Sequence, residues 1–269
     1  MIKKYTLLFL SLFLIGCDRA NAQPPKINGA LIQGGMIWGN ARGMDVYHGD
    51  IRISNDGLFV MGLGRDAPPV LELRFCSRGN CGTHSWEIER RTFIEQHVTV
   101  SPRFIEQPPE IAARTARERA AVVAARAEIE NCTMRYFKNL TKPENLRGVR
   151  ISSVFGSARV FNGRVMNPHN GLDFAAPTGT PVYSIGNGIV VLADYHYLNG
   201  KIVIVSHGHG VNSFYLHMSQ ILVNVGDRVN KQTMLGRIGN TGRSSGPHLH
   251  LGLNWRGVGV DPKLFLGLK

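Results

Sequence analysis

From about Gly148 to its C-terminus the chain is a succession of short apolar runs broken by glycine, and no helical pattern of useful length interrupts them. Val182-Tyr183-Ser184-Ile185, Gly188 to Ala193, Lys201 to Val205, Ser213 to Leu216 and Leu249 to Leu253 are all strand-like. Short strands in direct succession, with nothing between them to make a parallel crossover, predict an antiparallel β-sheet domain over residues 148–265. The last of these runs carries His248 and His250 at i and i+2. On a strand these share one face, with Cα atoms about 6.5–7 Å apart. Both rings can reach one small site. The spacing allows two ligands to a metal, or one ligand and one group facing a substrate.

Residues 28–100 read as a second, smaller β domain. Met36-Ile37-Trp38, Ile51-Arg52-Ile53, Leu58-Phe59-Val60 and Leu71 to Phe75 are short runs punctuated by Gly34-Gly35, Asn55-Asp56-Gly57 and Pro68-Pro69. This spacing suggests a small antiparallel, sandwich-like domain. From Pro108-Pro109 to about Asn131 the chain is rich in Ala, Arg and Glu and free of Gly and Pro. Proline suits the first helical turn and Glu110 the positive end of the helix dipole. A connecting helix is expected within 108–135, with a broken apolar stripe at Ile111, Val122, Val123 and Ile129. The fold expected is thus mainly β, in two domains joined by one helix.

The N-terminus addresses the compartment. Lys3-Lys4 precedes an apolar stretch from Leu7 to Gly16, too short to span a bilayer, so residues 1–22 read as an export signal. Two cleavage sites compete. Leu14-Ile15-Gly16-Cys17 is similar to a lipobox, in which Cys17 would be lipidated and hold the protein at a membrane. Ala20-Asn21-Ala22 would release a soluble form. Either way the protein is expected in the periplasm. In an exported chain, Cys76 and Cys81, separated by the turn-like Ser-Arg-Gly-Asn, can form a disulfide; Cys132 is then left over or competes for one of them. The formal charge of +12 suits an anionic partner such as cell wall or lipid head group. No aromatic-basic interleaving or helix-turn-helix pattern accompanies it, so no nucleic-acid partner is expected.

Pro168-His169-Asn170-Gly171-Leu172-Asp173 adds a His and an Asp four apart. On a straight strand they would lie about 13 Å from each other, too far to share an ion. If they do share one, the backbone must curve, and Gly171 is where it can. Tyr215-Leu216-His217 places Tyr215 and His217 on one strand face. Four histidines (His169, His217, His248, His250) and Asp173 are then available. Two neutral imidazoles and one carboxylate leave Zn²⁺ an open fourth position, the usual arrangement of a catalytic site. His207 is read as shaping a hairpin and His196 as an exposed loop residue.

Residues 150–262 resemble the lysostaphin-type (LytM-like) zinc endopeptidases that cut peptidoglycan. The matches are Phe155-Gly156, His169-x-Gly171-x-Asp173, Ala176-Pro177-x-Gly179-Thr180-Pro181-Val182, Gly188, His207-Gly208, Tyr215-x-His217, Val225-Gly226-Asp227-x-Val229, Leu235-Gly236, Gly239-x-Thr241-Gly242 and Gly246-Pro247-His248-Leu249-His250. The departures, Ser206 before His207 and Lys231-Gln232-Thr233, touch none of the five candidate site residues. The resemblance implies one zinc held by His169, Asp173 and His250, with His217 and His248 as catalytic, non-ligand histidines and Tyr215 shaping the substrate pocket. It implies a peptide substrate in peptidoglycan and brings in cell-wall protein partners. The N-terminal half is expected to position the enzyme or to restrain access to its cleft. Two other readings are weaker. Gly186-Asn187-Gly188 and Val225 to Val229 are similar to the half-barrels of lipoyl and biotinyl carriers, but no Met-Lys stands at a hairpin tip. Some relatives that have lost zinc ligands act as adaptors that activate cell-wall amidases. Here all five site residues are present, so a hydrolase is expected over an adaptor.

Overall fold

The protein is described by a computed structural model over residues 25–127 and 134–268; the expected export signal, Cys17 and Cys132 lie outside the described residues. The N-terminal half forms two four-stranded sheets. One is ordered Asn28–Gly29, Met36–Asn40, Leu58–Gly62, Ser54–Asn55; the other Ile51–Arg52, Asp45–His48, Val70–Ser77, Asn80–Glu87. In Val70–Ser77, strict alternation turns Leu71, Leu73 and Phe75 inward and leaves Val70, Glu72 and Arg74 in solvent. Phe75 meets Phe59 of the other sheet edge-to-face, with centroids 5.7 Å apart, so the two sheets share a core as a sandwich does. Val70–Ser77 and Asn80–Glu87 form a hairpin closed by Arg78 and Gly79, both at positive φ (51° and 82°). A two-residue turn with both central residues left-handed matches the twist of the flanking strands. It places Cys76 opposite Cys81, and the two form the expected disulfide.

Leu58–Gly62 is buried at every residue, which a sandwich strand facing water on one side would not be. The C-terminal domain covers its second face. A Cβ on Gly62 would stand 2.9 Å from Trp255 Cβ and 3.0 Å from Val260 Cγ1, so glycine is what lets these strands touch. One hydrophobic cluster accordingly runs through both halves, from Met36 and Phe59 to Leu251 and Trp255. Arg91 pairs with the buried Asp261 at 2.9 Å across the same boundary. Glu95–Val98 leaves the N-terminal half altogether and pairs parallel with Ala158–Phe161.

The main C-terminal sheet is antiparallel throughout, as expected. Its order is Ile151–Ser153, Leu172–Phe174, Leu249–Trp255, Val211–Met218, Gly200–Ser206, Gly188–His196, Arg228–Val229, with Val258–Val260 paired to Leu249–Trp255. Leu172, Phe174, Leu249, Leu251, Val203 and Val205 face the core. The alternate residues Ile202, Ile204, Phe214 and Leu216 face outward and are covered by Val122 and Ala125 of the Pro109–Ala127 helix. That helix therefore lies on the sheet as well as connecting the halves. Another apolar residue of the helix, Val123, is 61% exposed, in keeping with the broken stripe. No helix among the described residues is long and apolar enough to cross a membrane.

His196 is not an exposed loop residue. It ends Gly188–His196, is paired opposite Gly200, and is 1% exposed. His207 is fully buried. Its Nδ1 donates to Asn187 O (2.7 Å) and its Nε2 meets Ser213 Oγ (2.8 Å), so it ties the turn to the sheet. Burial pushes its pKa down from 6.5 to about 4, against the hydrogen bond to Asn187 that raises it. A depressed histidine pKa means that the unfolded chain binds the extra proton first, so stability is whole above pH 6.5 and falls as the pH drops toward 4. The loss expected from this residue is about 3 kcal/mol, at roughly 1.4 kcal/mol per pH unit. Denaturant titrations of wild type and His207→Gln across this range check it: the variant's stability should fall by that much less, and parallel curves would contradict it.

Candidate metal centre

Asp173 and His250 are direct neighbours in register on adjacent strands, both on the outward face of the sheet. Asp173 Oδ1 and His250 Nδ1 stand 2.9 Å apart. His169 arrives from the segment before Leu172–Phe174, which bends at Gly171. The bend replaces the long straight-strand separation with 3.0 Å between His169 Nε2 and Asp173 Oδ1, and 2.9 Å between His169 Nε2 and His250 Nδ1. Position 171 is glycine for want of space: a Cβ there would lie 2.6 Å from Leu251 O and 2.7 Å from His250 Nε2. Neighbouring backbone holds the segment in place, with His169 N donating to Ser157 O (3.0 Å) and Gly156 N to His169 O (2.8 Å).

The hydrogen bonds of His169 decide what this triangle can hold. Its Nδ1 faces the carbonyl of Val154 at 3.0 Å, and Ser153 Oγ at 3.0 Å. A carbonyl only accepts, so Nδ1 carries the proton and Nε2 presents a lone pair. That lone pair points at a carboxylate oxygen and at a second imidazole nitrogen, inside a buried site. Three electron-rich atoms converging at 2.9–3.0 Å fit a cation between them. The three are the metal-binding group found among the described residues. The separations are slightly shorter than the ligand-to-ligand edges of about 3.3 Å that a tetrahedral zinc site with bonds near 2.0–2.1 Å has. Burial alone would push the Asp173 carboxyl up; its contacts with the His169 and His250 rings outweigh that and hold it well below the usual carboxylate range. Burial lowers the pKa of His250, and Asp173 opposes the shift. Asp173 and His250 thus favour the deprotonated forms that bind metal.

His217 and His248 stand beside the triangle. His248 Nδ1 faces Gly246 O at 2.8 Å, which turns its Nε2 toward Asp173 Oδ1 at 3.8 Å. The ring centroid of His217 lies 4.9 Å from that of His248 and 6.3 Å from that of His250. Its Nδ1 faces Thr241 O at 2.8 Å, so Nε2 is again the lone-pair atom. Burial, then the neighbouring His248 and His250, push the His217 pKa down to about 3. His217 reaches this face through a β-bulge. Between the pairs Lys201↔Met218 and Val203↔Tyr215, the Val211–Met218 strand has one residue more than its partner. His217 sits there at φ 63°, a left-handed backbone that non-glycine residues seldom adopt.

The same bulge separates His217 from Tyr215, against the sequence expectation that they share a face. Tyr215 is fully buried in the core. Its hydroxyl accepts from Ile185 N at 2.9 Å and lies 3.0 Å from Ser213 Oγ. It does not line the cleft, so its pocket-shaping role is not supported by its position; it holds the sheet behind the histidines. Several residues that do line the cleft gave no signal in the sequence. Arg159 Nη2 binds Asp173 Oδ2 (2.9 Å) and Ser153 Oγ (3.0 Å). Gln96, Val98 and Val100 come from the N-terminal half, and Gln96 Oε1 accepts from Ser153 Oγ at 2.6 Å. Arg150 and Arg243 complete the wall. The parallel pairing of Glu95–Val98 with Ala158–Phe161, continued by the Asn162 side chain bonding Val100, brings the N-terminal segment to the cleft, and nothing in the spacing announces it.

Residues 167–262 match the sequence model of peptidase family M23. Peptidoglycan DD-endopeptidase ShyA of Vibrio cholerae is 47% identical over 113 residues, which are 42% of this chain and 26% of that protein. The DD-carboxypeptidase/endopeptidase Mpg of Neisseria meningitidis is 36% identical over 119 residues, 44% of this chain and 27% of that one. The chain thus spans about a quarter of the length of these relatives. A crystal structure of a Pseudomonas aeruginosa protein assigned to peptidase M23 superposes with a TM-score of 0.62 at 25% identity, over 88% of this chain and 96% of that one. The sheet domain with its histidines and aspartate is a metallopeptidase domain. Residues 167–262 carry the likeness to peptidase family M23, and the lysostaphin-type character is confined to this domain.

Since a Cβ at 171 would collide with both Leu251 O and the His250 ring, Gly171→Ala should weaken zinc binding by about 10- to 100-fold, the range seen when groups that orient ligands are disturbed. Overpacking should also cost about 1–3 kcal/mol of stability. Zinc titration and melting of the variant test this; unchanged zinc affinity would show that the close approach does not position His250.

Proposed function

We propose that this protein is a zinc-dependent endopeptidase that hydrolyses peptide crosslinks of bacterial peptidoglycan outside the cytoplasm. The observation that carries this reading is the pairing of a metal-binding triangle, His169, Asp173 and His250, with two further imidazoles whose Nε2 atoms are free to face a substrate. The names of the relatives support the substrate, and the export signal read at residues 1–22 supports the compartment. Anchoring through a lipidated Cys17 and docking to cell-wall proteins belong to the same proposal. So does restraint by the N-terminal half, which is supported by Gln96, Val98 and Val100 walling the cleft.

His169 Nε2, Asp173 Oδ1 and His250 Nδ1 would hold one zinc ion. Bound there, zinc supplies a Lewis acid for the scissile carbonyl and lowers the pKa of water. The protein's own groups do the rest. Hydrolysis needs a base that takes a proton from the attacking water and an acid that returns one to the leaving amine. The Nε2 atoms of His217 and His248 offer this capacity side by side. Their Nδ1 protons are committed to Thr241 O and Gly246 O, so neither ring can flip its tautomer without losing a hydrogen bond. His217 is neutral well below neutral pH, so its Nε2 is available to accept. Arg159 holds the second oxygen of Asp173 and keeps Oδ1 turned to the triangle. On the far side of His250 a second cavity, of about 260 Å³, is lined by Asn170, Asn199, Phe214 and Leu216. A peptide can therefore lie across the site with a portion on each side.

Metal analysis paired with digestion of crosslinked muropeptides tests the proposal. Wild type should carry zinc and cut crosslinks. His250→Ala should carry little zinc and cut none. His248→Ala should keep its zinc while kcat falls by about 10²-fold or more, the scale of general acid-base help. A zinc-free wild type that leaves crosslinks intact would favour the adaptor reading.

A further inference from the structure

The cleft beside the triangle is bordered by three arginines, of which, among the described residues, only Arg159 is engaged in an ion pair, with Asp173. The cavity, of about 250 Å³, has Arg150, Arg159 and Arg243 among its lining residues, and Asp173 as its one carboxylate among the described residues. Asp173 is already engaged, by both histidines of the triangle and by one nitrogen of Arg159. Arg159 keeps a buried Nε without a hydrogen-bond partner. The Arg243 guanidinium lies over the Phe161 ring at 5.1 Å, and the Arg159 guanidinium lies 5.8 Å from the same ring. One buried aromatic thus brings two like charges together. Among the described residues, neither Arg243 nor Arg150 has an acidic partner within ion-pair distance. Burial, then the charges of Arg159 and Arg119, lower the Arg243 pKa. Arg243, with no counter-ion of its own and held beside Arg159, whose one ion pair is with the already engaged Asp173, is a cost that an incoming anion removes. The planar fork of arginine matches a carboxylate, which it can bind through two parallel hydrogen bonds.

We propose that Arg243 and Arg159, with Arg150 at the mouth, form a carboxylate-binding subsite next to the metal-binding triangle. It makes the cleft select peptides that carry a free carboxylate close to the bond to be cut. This rests on the endopeptidase reading for its substrate, but not for its chemistry. Such a subsite fixes the direction in which a peptide crosses the site. The carboxylate end lies on the arginine side of the triangle, and the rest of the peptide runs past His250 toward Asn170 and Phe214. It also differs in kind from a cleft built for uncharged chains, which would gain nothing from paired guanidiniums.

The test is a calorimetric titration of the full chain carrying His248→Ala, to prevent turnover. The probes are a D-alanyl-D-alanine peptide with a free C-terminal carboxylate and the same peptide as its carboxamide. The carboxylate should bind tighter by about tenfold or more, the effect of hydrogen bonds to a charged group. Adding Arg243→Gln should cancel that difference, and Arg243→Lys should restore part of it. Equal affinity for the two probes, no binding of either, or a preference that survives Arg243→Gln overturns the subsite. Crosslink digestion by wild type separates the two claims. A carboxylate preference without cleavage leaves the subsite standing and removes the endopeptidase. Cleavage without a preference does the reverse.

Discussion

Asp173 and His250 face each other across two adjacent antiparallel strands, and the proposed metal centre depends on that register. The pairing does more than place two ligands. Leu172 and Phe174 on one strand, and Leu249 and Leu251 on the other, flank the ligands and are all but fully buried in the core. A slip of one residue would turn those four side chains out and the ligands in. The burial that stabilises the sheet therefore also fixes Asp173 and His250 on the opposite face. His169 joins them because the backbone bends at Gly171 and because Val154 O orients its ring. The three proposed ligands are positioned by the sheet and its immediate neighbours rather than by a mobile loop, as a metal site requires if its geometry is to be set before the metal arrives.

The second pair of histidines is held differently. His248 shares the strand logic of His250, two residues away on the same face. His217 reaches the cleft only because the Val211–Met218 strand is bulged, at a left-handed φ that costs about 1–2 kcal/mol outside glycine. Strain of this kind persists where surrounding contacts over-determine it. Here His217 N donates to Asn199 O (3.0 Å), its Nδ1 meets Thr241 O, and Thr241 N returns to His217 O (3.3 Å). Thr241 is tied in turn to Lys201 N and Met218 O. The bulge thus lets one strand serve two tasks, with Tyr215 locking the core and His217 facing the cleft.

These two cases show what the sequence could convey. His169, Asp173 and His250 were legible because metal chemistry narrows the residue types and the strand period fixes which of them share a face. The need for a bend at Gly171 followed from distance alone. The β character of both halves, the helix between them and the Cys76–Cys81 disulfide followed from local pattern. Tyr215 was misplaced because strict alternation was applied to a strand that breaks it, and no residue in Tyr215-Leu216-His217 marks a bulge. His196 was taken as exposed because it sits between Tyr195 and Tyr197 in what reads as a loop, yet strand pairing with Gly200 buries it. The arginine wall and the core shared by the two halves were beyond reach for one reason. They arise from contacts between segments far apart in the chain, such as Glu95–Val98 with Ala158–Phe161 and Gly62 with Trp255, which have no local signature.

The chemistry of the site turns on which side chains hold the metal and which remain free beside it. Anomalous diffraction from zinc-loaded crystals at the zinc edge measures this directly. The peak should lie within about 2.0–2.2 Å of His169 Nε2, Asp173 Oδ1 and His250 Nδ1, the range of zinc bonds to these atoms. His217 and His248 should stand outside bonding distance. A peak bonded to His248 or His217 in place of any of the three, or no peak in this cleft, would contradict it.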